Sequence, residues 1–314
     1  MNPGDGYIAY IVNPCSGASS SKLIGHRFRG YLMSRGFEVR MHHTQSLDHA
    51  YRLAKGAAAD SNCVMIVGVG GDGTIREVVS GLAGCGKPLL IIPHGTENLL
   101  ASELGFDEKV QTLIDTFEHG CIKPLDLGKV NGRYFSSIVG FGFDGRVVER
   151  VSQRRSGNID YFDYIDPLWR TFWDYRYEHM KVQADGCDVF DGRGLVFVGN
   201  ISRYAVGLEI LRHADYSDGL LDLCIYKCSS KVHLVKHSLM TLLKHHAHRH
   251  DVIYRQVKNV HISSDGEDIK TEIDGDPGPA LPVSIEVVPG AIKVMVPKNA
   301  KPAGIRTRII RSLG

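Results

Sequence analysis

The stretch from Cys63 to Leu82, CVMIVGVGGDGTIREVVSGL, constrains this chain more than any other. It opens with an apolar run, Cys63 to Val67, of the length and character of a buried strand. Gly68, Gly70, Gly71, Asp72 and Gly73 then crowd together. Ile75, Val78, Val79 and Leu82 follow at i, i+3, i+4 and i+7, the apolar stripe of a helix. A strand feeding a helix through such a turn aims main-chain N–H groups and the positive helix end at one point, where an anion, typically a phosphate, is favoured. Glycines let the backbone approach that anion closely and take positive φ. Asp72 does not suit a bare phosphate site, because a carboxylate repels phosphate unless a cation lies between them. It reads as a magnesium or proton-handling residue. An ordinary βα turn explains one or two glycines, but hardly this cluster with its aspartate.

At 314 residues the chain suggests two domains. A net charge of +2 gives no support to extended nucleic-acid binding. Seven cysteines, at 15, 63, 85, 121, 187, 224 and 228, form no CxxC pair, and Cys63 and Cys224 sit in apolar runs. Reduced thiols in a cytoplasmic protein are the expectation. The opening MNPGDGYIAYIVNP lacks the pattern of a signal peptide, and no apolar segment has the length of a membrane span. Any membrane contact is expected to be peripheral.

In the first half strand and helix patterns alternate. Tyr7 to Val12, Phe37 to Met41, Cys63 to Val67 and Leu89 to Ile92 read as strands. Ile24, Phe28, Tyr31 and Leu32 mark one helix, Leu47, Ala50, Tyr51 and Ala54 a second, and Val110, Leu113, Ile114 and Phe117 another. Such alternation implies a parallel sheet covered on both faces, with ligands bound beyond the carboxyl ends of the strands. Asn13 to Gly17, Thr44, Gly70 to Thr74 and Gly95 to Asn98 all follow strands, so four polar or glycine-rich loops converge on one edge.

IVNPCSG, GGDGTIREVVSGL and PHGTENLLA, in this order and spacing, resemble the nucleotide-binding half of the diacylglycerol kinase catalytic family, which takes in bacterial diacylglycerol kinases, sphingosine kinases and ceramide kinases. The resemblance implies ATP and Mg²⁺ as cofactors and a lipid alcohol as acceptor. It implies a nucleotide site made by Asn13, Pro14, Cys15, Ser16 and Gly17, with Thr44 beside them. Gly70, Gly71, Asp72, Gly73, Thr74, Ile75, Arg76 and Glu77 would hold the phosphates, and Gly95, Thr96 and Asn98 would complete the pocket. NAD kinases share GGDGT, so that element alone is only moderately specific. Bacterial members usually carry Asn at Arg76, and Asp and Arg at Leu99 and Ser102. The apolar pair after Asn98 is more like the sphingosine kinase branch.

From about Leu127 the pattern turns to β. Tyr134 to Val139, Met180 to Val189, Leu195 to Gly199 and Leu220 to Tyr226 read as strands. Val283 to Val287, a Pro289-Gly290 turn and Ile292 to Val296 read as a final hairpin. The expected architecture is therefore an α/β nucleotide-binding domain with a parallel sheet, residues 1–127, and a mainly antiparallel β-sandwich substrate domain, residues 128–296. By resemblance the last strand and the tail, about 297–314, return to the first domain.

Gly140-Phe141-Gly142-Phe143-Asp144 matches a further signature of the resembled family, and Asp144 is a candidate for a direct role. Tyr161, Phe162, Tyr164, Trp169, Phe172, Trp173, Tyr175 and Tyr177 read first as the core of a helical insert, and second as an acyl-chain wall or membrane-contacting face. Asp215 and Asp218 with the carbonyl of Leu220 are the magnesium ligands the resemblance implies, against the alternative of a solvated acidic turn. His246 and His250 at i, i+4 are a weak candidate for a transition-metal pair beside the simpler reading of a helix C-terminus. Lys301, Arg306, Arg308 and Arg311 make the tail basic, either a solvated end or a weak attraction for an anionic membrane.

Two strings compete for the catalytic carboxylate. Asp265-Gly266-Glu267 spells the family's DGE but lies in a polar run with the character of a hairpin turn. Asp274-Gly275-Asp276 has the downstream strand context, and Asp276, or Asp274, is assigned as proton acceptor with Asp72 near the phosphates. The expected function is an ATP-dependent lipid kinase working at an inner membrane surface, with a homodimer left open. A soluble-substrate kinase related to NAD kinases, or a catalytically impaired nucleotide-binding regulator, are the alternatives.

Overall fold

A computed structural model describes residues 2–16, 19–46, 48–154 and 161–298. Gly17, Leu47 and the basic tail from 299 lie outside the described residues, as do the side chains of Tyr161 and Phe162. The first half runs β1 (Tyr7–Val12), α1 (Ser19–Ser34), β2 (Glu38–His43), α2 (His49–Ala59), β3 (Cys63–Gly70), α3 (Asp72–Leu82), β4 (Pro88–Pro93), α4 (Leu99–Glu103) and α5 (Val110–His119). The strands pair in parallel in the order β2-β1-β3-β4. From β1 the chain steps one way to β2, then crosses back to β3 on the other side. Right-handed crossovers in both directions put α1 and α2 on opposite faces. Phe28 of α1 and Phe117 of α5 meet edge to face at 6.2 Å on one of them. Ile8, Ile11, Ile66, Val67 and Leu90 are fully buried, as continuous apolar strands covered on both faces must be. The reversal between β1 and β3 opens a crevice at their carboxyl ends.

The second half is built on two long strands. Its elements are β5 (Cys121–Val130), β6 (Arg133–Phe135), β7 (Ile138–Phe141), α6 (Phe143–Gln153), α7 (Tyr161–Asp174), β8 (His179–Ala184), β9 (Cys187–Gly199), β10 (Leu221–Lys227), α8 (Lys231–Leu242), β11 (Val252–Val257), β12 (Asn259–Ser263), β13 (Thr271–Ile273), β14 (Asp276–Pro277) and β15 (Val283–Val296). β9 pairs with β8 along its first part and with β7 and β10 along its second, so it belongs to two layers. Val139, Phe141, Met180, Val182, Val196, Val198 and Ile262 fill the core of this half.

Three strand expectations need correction. Tyr134 to Val139 is not one strand: the chain breaks at Ser136-Ser137, where Asp274 takes the main-chain N–H groups, so β6 pairs with β5 and β7 with β9 and β13. Met180 to Val189 is not one strand: Asp185 (φ 49°) and Gly186 (φ 80°) turn the chain between β8 and β9. An Asp-Gly pair favours a two-residue hairpin, and here that preference outweighs the continuous β pattern. The closing segment is not a hairpin either. β15 runs on through Pro289-Gly290, pairing antiparallel with β5 on both sides of an irregularity between Val288 and Ile292. Asp126 fixes that bend by accepting the Gly290 N–H at 2.6 Å and the Gly219 N–H at 2.7 Å. Beyond the bend Lys293 and Val294 pair in parallel with β4, which joins the first sheet to the second half.

The aromatic insert is helical, but its tryptophans are not core: Trp169 is 62% exposed and Trp173 55%. The stripe on α8 also faces outward at Val232, Val235, Leu239 and Leu242, while Leu234, His237 and Thr241 point inward. α8 ends at Leu242, so His246 and His250 are not stacked on a helix. His246 is buried with Nε2 2.8 Å from the Ile210 carbonyl. Among the described residues no helix is long and apolar enough to cross a membrane.

Packing of α2 on α3 rests on Gly81, where a Cβ would come within 2.6 Å of the Tyr51 carbonyl oxygen and 2.9 Å of Ala54 Cβ. Gly81→Val should force the helices apart and cost about 2 kcal/mol. Urea unfolding should show a lower midpoint with an unchanged slope.

Candidate active site

The glycine-rich turn is shaped by close contacts. Gly71 precedes α3, and its carbonyl accepts the Ile75 N–H at 3.0 Å, so the N–H groups of Asp72, Gly73 and Thr74 start the helix without intrahelical partners. A Cβ on Gly70 would strike the Thr74 side chain at 2.5 Å. A Cβ on Gly95 would come within 2.6 Å of Gly71 Cα, so the loops after β3 and β4 touch backbone to backbone. Gly73 is exposed with open space beside it, the place where a phosphate can come closest.

The other loops lock onto this turn. Asn13 donates from Nδ2 to Thr74 Oγ1 at 2.9 Å, and its Oδ1 accepts the Cys15 N–H. Pro14 and Cys15 are exposed, Ser16 is buried, and Thr44 extends the β1–β2 pairing through its N–H to Val12. Asn98 takes a left-handed φ of 51° and folds its amide back on its own loop, accepting from His94 and Gly95 N–H and donating to the Gly95 carbonyl. Thr96 remains exposed at the loop tip. Asp72 Oδ1 accepts the Leu99 N–H at 2.7 Å, tying the start of α4 to the phosphate turn. Burial pushes the Asp72 carboxyl up to about 6, with Asp274 across the cleft adding to the rise. Ile75 points into the core, and Glu77 accepts the Asp48 and Ala50 N–H groups at the start of α2. These two side chains therefore support the site from behind.

The second half contributes Asp274 to Asp276. Asp274 (φ 48°) and Gly275 (φ 81°) form the two-residue turn between β13 and β14. Both Asp274 oxygens are engaged: Oδ2 accepts the Ser136 N–H at 2.9 Å, and Oδ1 accepts Ser137 and Ile138 N–H at 2.9 and 3.0 Å. Burial raises its pKa, while Arg76 and those three N–H groups oppose the rise. Asp276 is placed differently. Its Oδ2 lies 2.5 Å from Arg76 NH2, and its side chain is 30% exposed. Arg76 also donates from NH1 to the Ile273 carbonyl at 3.2 Å, so its guanidinium goes to the turn of the second half.

Two participants, Glu272 and Arg133, were not singled out by pattern, and they join Asp144, which was. Glu272 accepts the Gly275 N–H at 2.8 Å through Oε2. Its Oε1 and Asp144 Oδ2 are shut away from solvent over Gly140, where a Cβ would meet them at 3.0 and 2.5 Å. Burial first, and then repulsion by Asp144, drives the Glu272 pKa well up, and burial raises Asp144 as well. Asp144, bonded also to the Tyr204 hydroxyl, thus supports the turn from within. Arg133 lies in electrostatic reach of Arg76, Asp274 and Asp276, its pKa lowered by burial first and by Arg76 second. A single arginine in a polar turn carries no signal in a lone sequence. Asp265 and Glu267 lie away from this group, pairing with Lys181 and accepting the His179 N–H. They lie in the crossing from β12 to β13, which pair with different strands, so that segment is not a hairpin.

Asp215 and Asp218 form a separate group near the bend of β15. Asp215 Oδ1 accepts from the Ser217 N–H and hydroxyl, and Asp218 accepts the Leu220 N–H and the Gln256 amide. Burial raises Asp218, with Asp215 and Asp126 adding to it, and pushes neighbouring Asp222 up to about 7. Among the described residues no lysine or arginine pairs with any of these four carboxylates.

Two outcomes follow. Asp274→Ala leaves three main-chain N–H groups without an acceptor and should cost about 3 kcal/mol, read as a lower urea midpoint. Asp72 gives a pH signature. Its folded pKa is raised, so its contribution is fully present below the ordinary carboxylate range and is lost as pH rises through about 6. Compared with Asp72→Asn, ligand-free wild-type protein should lose on the order of 2 kcal/mol between about pH 4 and 6. Urea titrations at several pH values would measure that difference.

Residues 8–130 match the diacylglycerol kinase catalytic domain, and residues 137–296 match the YegS C-terminal NAD kinase β-sandwich-like domain. A diacylglycerol kinase of Bacillus subtilis is 30% identical over 293 residues, 92% of this chain and 96% of the relative. One from Mycobacterium tuberculosis is 30% identical over 304 residues, 94% and 96% of the two chains. A solved structure of a candidate diacylglycerol kinase from Bacillus anthracis shares the fold, with a TM-score of 0.76 at 22% identity over 92% of this chain and 96% of that one. The chain therefore belongs to the diacylglycerol kinase family, lipid kinases that transfer a phosphoryl group to an alcohol.

Proposed function

We propose that this protein transfers the γ-phosphate of ATP to the hydroxyl of a membrane-derived lipid, with diacylglycerol favoured by the names of its relatives and a sphingoid base as the other candidate. The observation that carries the reading is the clasp of Arg76 on Asp276 and Ile273, which holds an acidic turn of one domain against the helix that starts the phosphate site of the other. Phosphoryl transfer asks a protein mainly for positioning and charge neutralisation. The first-turn N–H groups of α3, with Gly70, Gly71 and Gly73, hold the phosphates. Asn13, Pro14, Cys15, Ser16, Thr44, Gly95 and Thr96 line the nucleotide, with Gly17 outside the described residues. Asp276 takes the proton of the lipid hydroxyl as the new O–P bond forms and the bond from the γ-phosphorus to the bridging oxygen breaks, releasing ADP. Asp274, with both oxygens committed to main chain, positions that turn.

Mg²⁺ would have two places in this reading. Near Asp72 it would supply charge neutralisation for the phosphates. Asp215, Asp218 and the Leu220 carbonyl are hard oxygen donors in a knot of unneutralised carboxylates, and suit a structural ion. Both α7 and α8 turn apolar side chains outward, and their ends approach where Lys231 Nζ sits 4.6 Å above the Trp173 ring, which supports contact with a membrane surface that presents the acceptor.

Incubation with labelled Mg·ATP and a mixed lipid extract should place label in an extractable lipid; label absent from every lipid would sink the proposal. Asp276→Asn keeps an acceptor for Arg76 but makes a poor base, and should lower turnover by about 10²–10⁴-fold with ATP affinity nearly unchanged. Glu267→Ala should leave turnover intact. For the structural ion, EDTA should lower the melting temperature of wild-type protein and leave that of an Asp215→Asn/Asp218→Asn variant unmoved.

A further inference from the structure

The acidic turn is held from within by a carboxylate that the kinase reading leaves without a role. Asp274 and Gly275 are the two central residues of the β13–β14 hairpin, so their N–H groups have no partner in the ladder. The Asp274 N–H reaches the Ile138 carbonyl at 2.9 Å, and the Gly275 N–H donates to Glu272 Oε2 at 2.8 Å. Glu272 is 1% exposed. Its other oxygen, Oε1, and Asp144 Oδ2 both lie within 3.0 Å of the point a Cβ on Gly140 would occupy, and both are shut from solvent. Tyr204, in the loop after β9, donates its hydroxyl to Asp144 Oδ1, which leaves Oδ2 to Glu272. Among the described residues no lysine or arginine pairs with either carboxylate. Two ionised carboxylates facing each other in a closed site repel, and neither can donate a hydrogen bond. With one proton between them the same contact is a hydrogen bond, and all four oxygens of the pair then have partners.

We propose that Glu272 is a positioning residue for phosphoryl transfer: it shares one proton with Asp144, which fixes Oε2 as the anchor for Gly275 and so sets Asp276 against the phosphate site. A role in transfer rests on the kinase reading above; the shared proton does not. Burial raises both carboxyl groups, the direction that retention of a proton requires. The other carboxylate facing Glu272 is Asp274, whose oxygens are committed to the N–H groups of Ser136, Ser137 and Ile138. The anchor is also registered to the first domain. The loop that carries Tyr204 places Ser202 Oγ on Glu103 of α4 at 3.1 and 3.0 Å, and the Val206 N–H on Glu97 at 2.9 Å. Val206 is a β-branched residue at a φ of 59°, a conformation that persists only where its surroundings over-determine it. Asp144 is therefore held by a loop that both domains fix, and Glu272 passes that position on to the turn.

Three variants of the full-length protein separate length from charge, each assayed for Mg·ATP-dependent lipid phosphorylation well below its melting temperature. Glu272→Gln keeps the length: its carbonyl accepts the Gly275 N–H, its amide donates to Asp144, and turnover should stay close to wild type. Glu272→Asp keeps the acid but is one methylene too short to reach both partners, and turnover should fall. Glu272→Ala releases the turn and should lower kcat by about 10²-fold with KM for ATP unchanged. A merely structural group would shift the melting temperature and leave kcat of the folded enzyme in place. That result, or a Glu272→Asp enzyme more active than Glu272→Gln, overturns the positioning role. Should Glu272→Ala not fold, the order of the other two variants decides. The shared proton has its own signature. Infrared difference spectra between wild type and Glu272→Gln at neutral pH should show the carbonyl stretch of a protonated carboxylic acid in wild type alone, and its absence there refutes the shared proton. The spectra need no turnover. Wild-type protein that phosphorylates no lipid would overturn the kinase reading and the positioning role with it, while the spectra would still decide the pair.

Discussion

Arg76 ties the phosphate helix to the acidic turn, and the rest of the site depends on that tie. Its guanidinium is largely buried and holds Asp276 and the Ile273 carbonyl at once, so both ends of the turn are fixed from the opposite domain. Removing charges from water is expensive, and a half-buried pair of this kind contributes more to geometry than to net stability. Its loss would be costly all the same, because Arg76 would keep its burial without its partner. From this contact hydrogen bonds run both ways. Asp72 leads into the loop after β4 through Leu99, while Asp274 reaches Ser136 to Ile138 and Glu272 reaches Gly275. The phosphate turn and the acidic turn are parts of one network that spans both halves.

Covalent continuity makes the same connection on a larger scale. β15 begins beside β12, bends at Pro289-Gly290 over Asp126, and ends beside β4. β5 follows it through the bend, so the two halves share a ladder where a flexible linker would otherwise lie. Relative motion of domains usually concentrates in linkers that few contacts cross. Here any such motion must break or bend ladder hydrogen bonds, which favours small adjustments of the cleft over wide opening. The unneutralised carboxylates at Asp126, Asp215, Asp218 and Asp222 lie at this same bend, where a cation would stiffen the shared strand.

Local chemistry made much of this legible. Glycine-rich turns and apolar periods are short-range signals, and Tyr7–Val12, the turn at Gly70–Thr74 and the loops at Asn13 and Gly95 that meet it stand in the structure as those signals imply. The misreadings of the closing strand and of Arg76 share one cause: pairing at long range decides what a local pattern cannot. Ile292 to Val296 alternates like a returning hairpin strand, yet its partner is β5, more than 150 residues earlier in the chain. Met180 to Val189 has a β pattern on both sides of Asp185-Gly186, and the local turn preference of that pair divides it into two strands. The family resemblance groups Glu77 and Asn98 with the nucleotide site. In the structure the Glu77 side chain caps α2 and the Asn98 side chain closes the loop after β4. The role of Arg76 was unreadable because its partner lies 200 residues away.

The apolar faces of α7 and α8 show what the network leaves to the surface. Trp169 and Trp173 on α7 and Val232 and Leu242 on α8 are each exposed, and exposed large apolar side chains that cluster on a surface mark interaction sites. A lipid acceptor presents the complementary problem. Its hydroxyl must reach a polar cleft while its chains avoid water, and an enzyme that docks on the bilayer meets both demands without enclosing the chains. The helices that carry the exposed residues stand on the second domain, the same domain that supplies Asp276. Contact with a membrane there would therefore act on the half of the molecule that holds the acidic turn, leaving the parallel sheet and its phosphate site as the fixed frame.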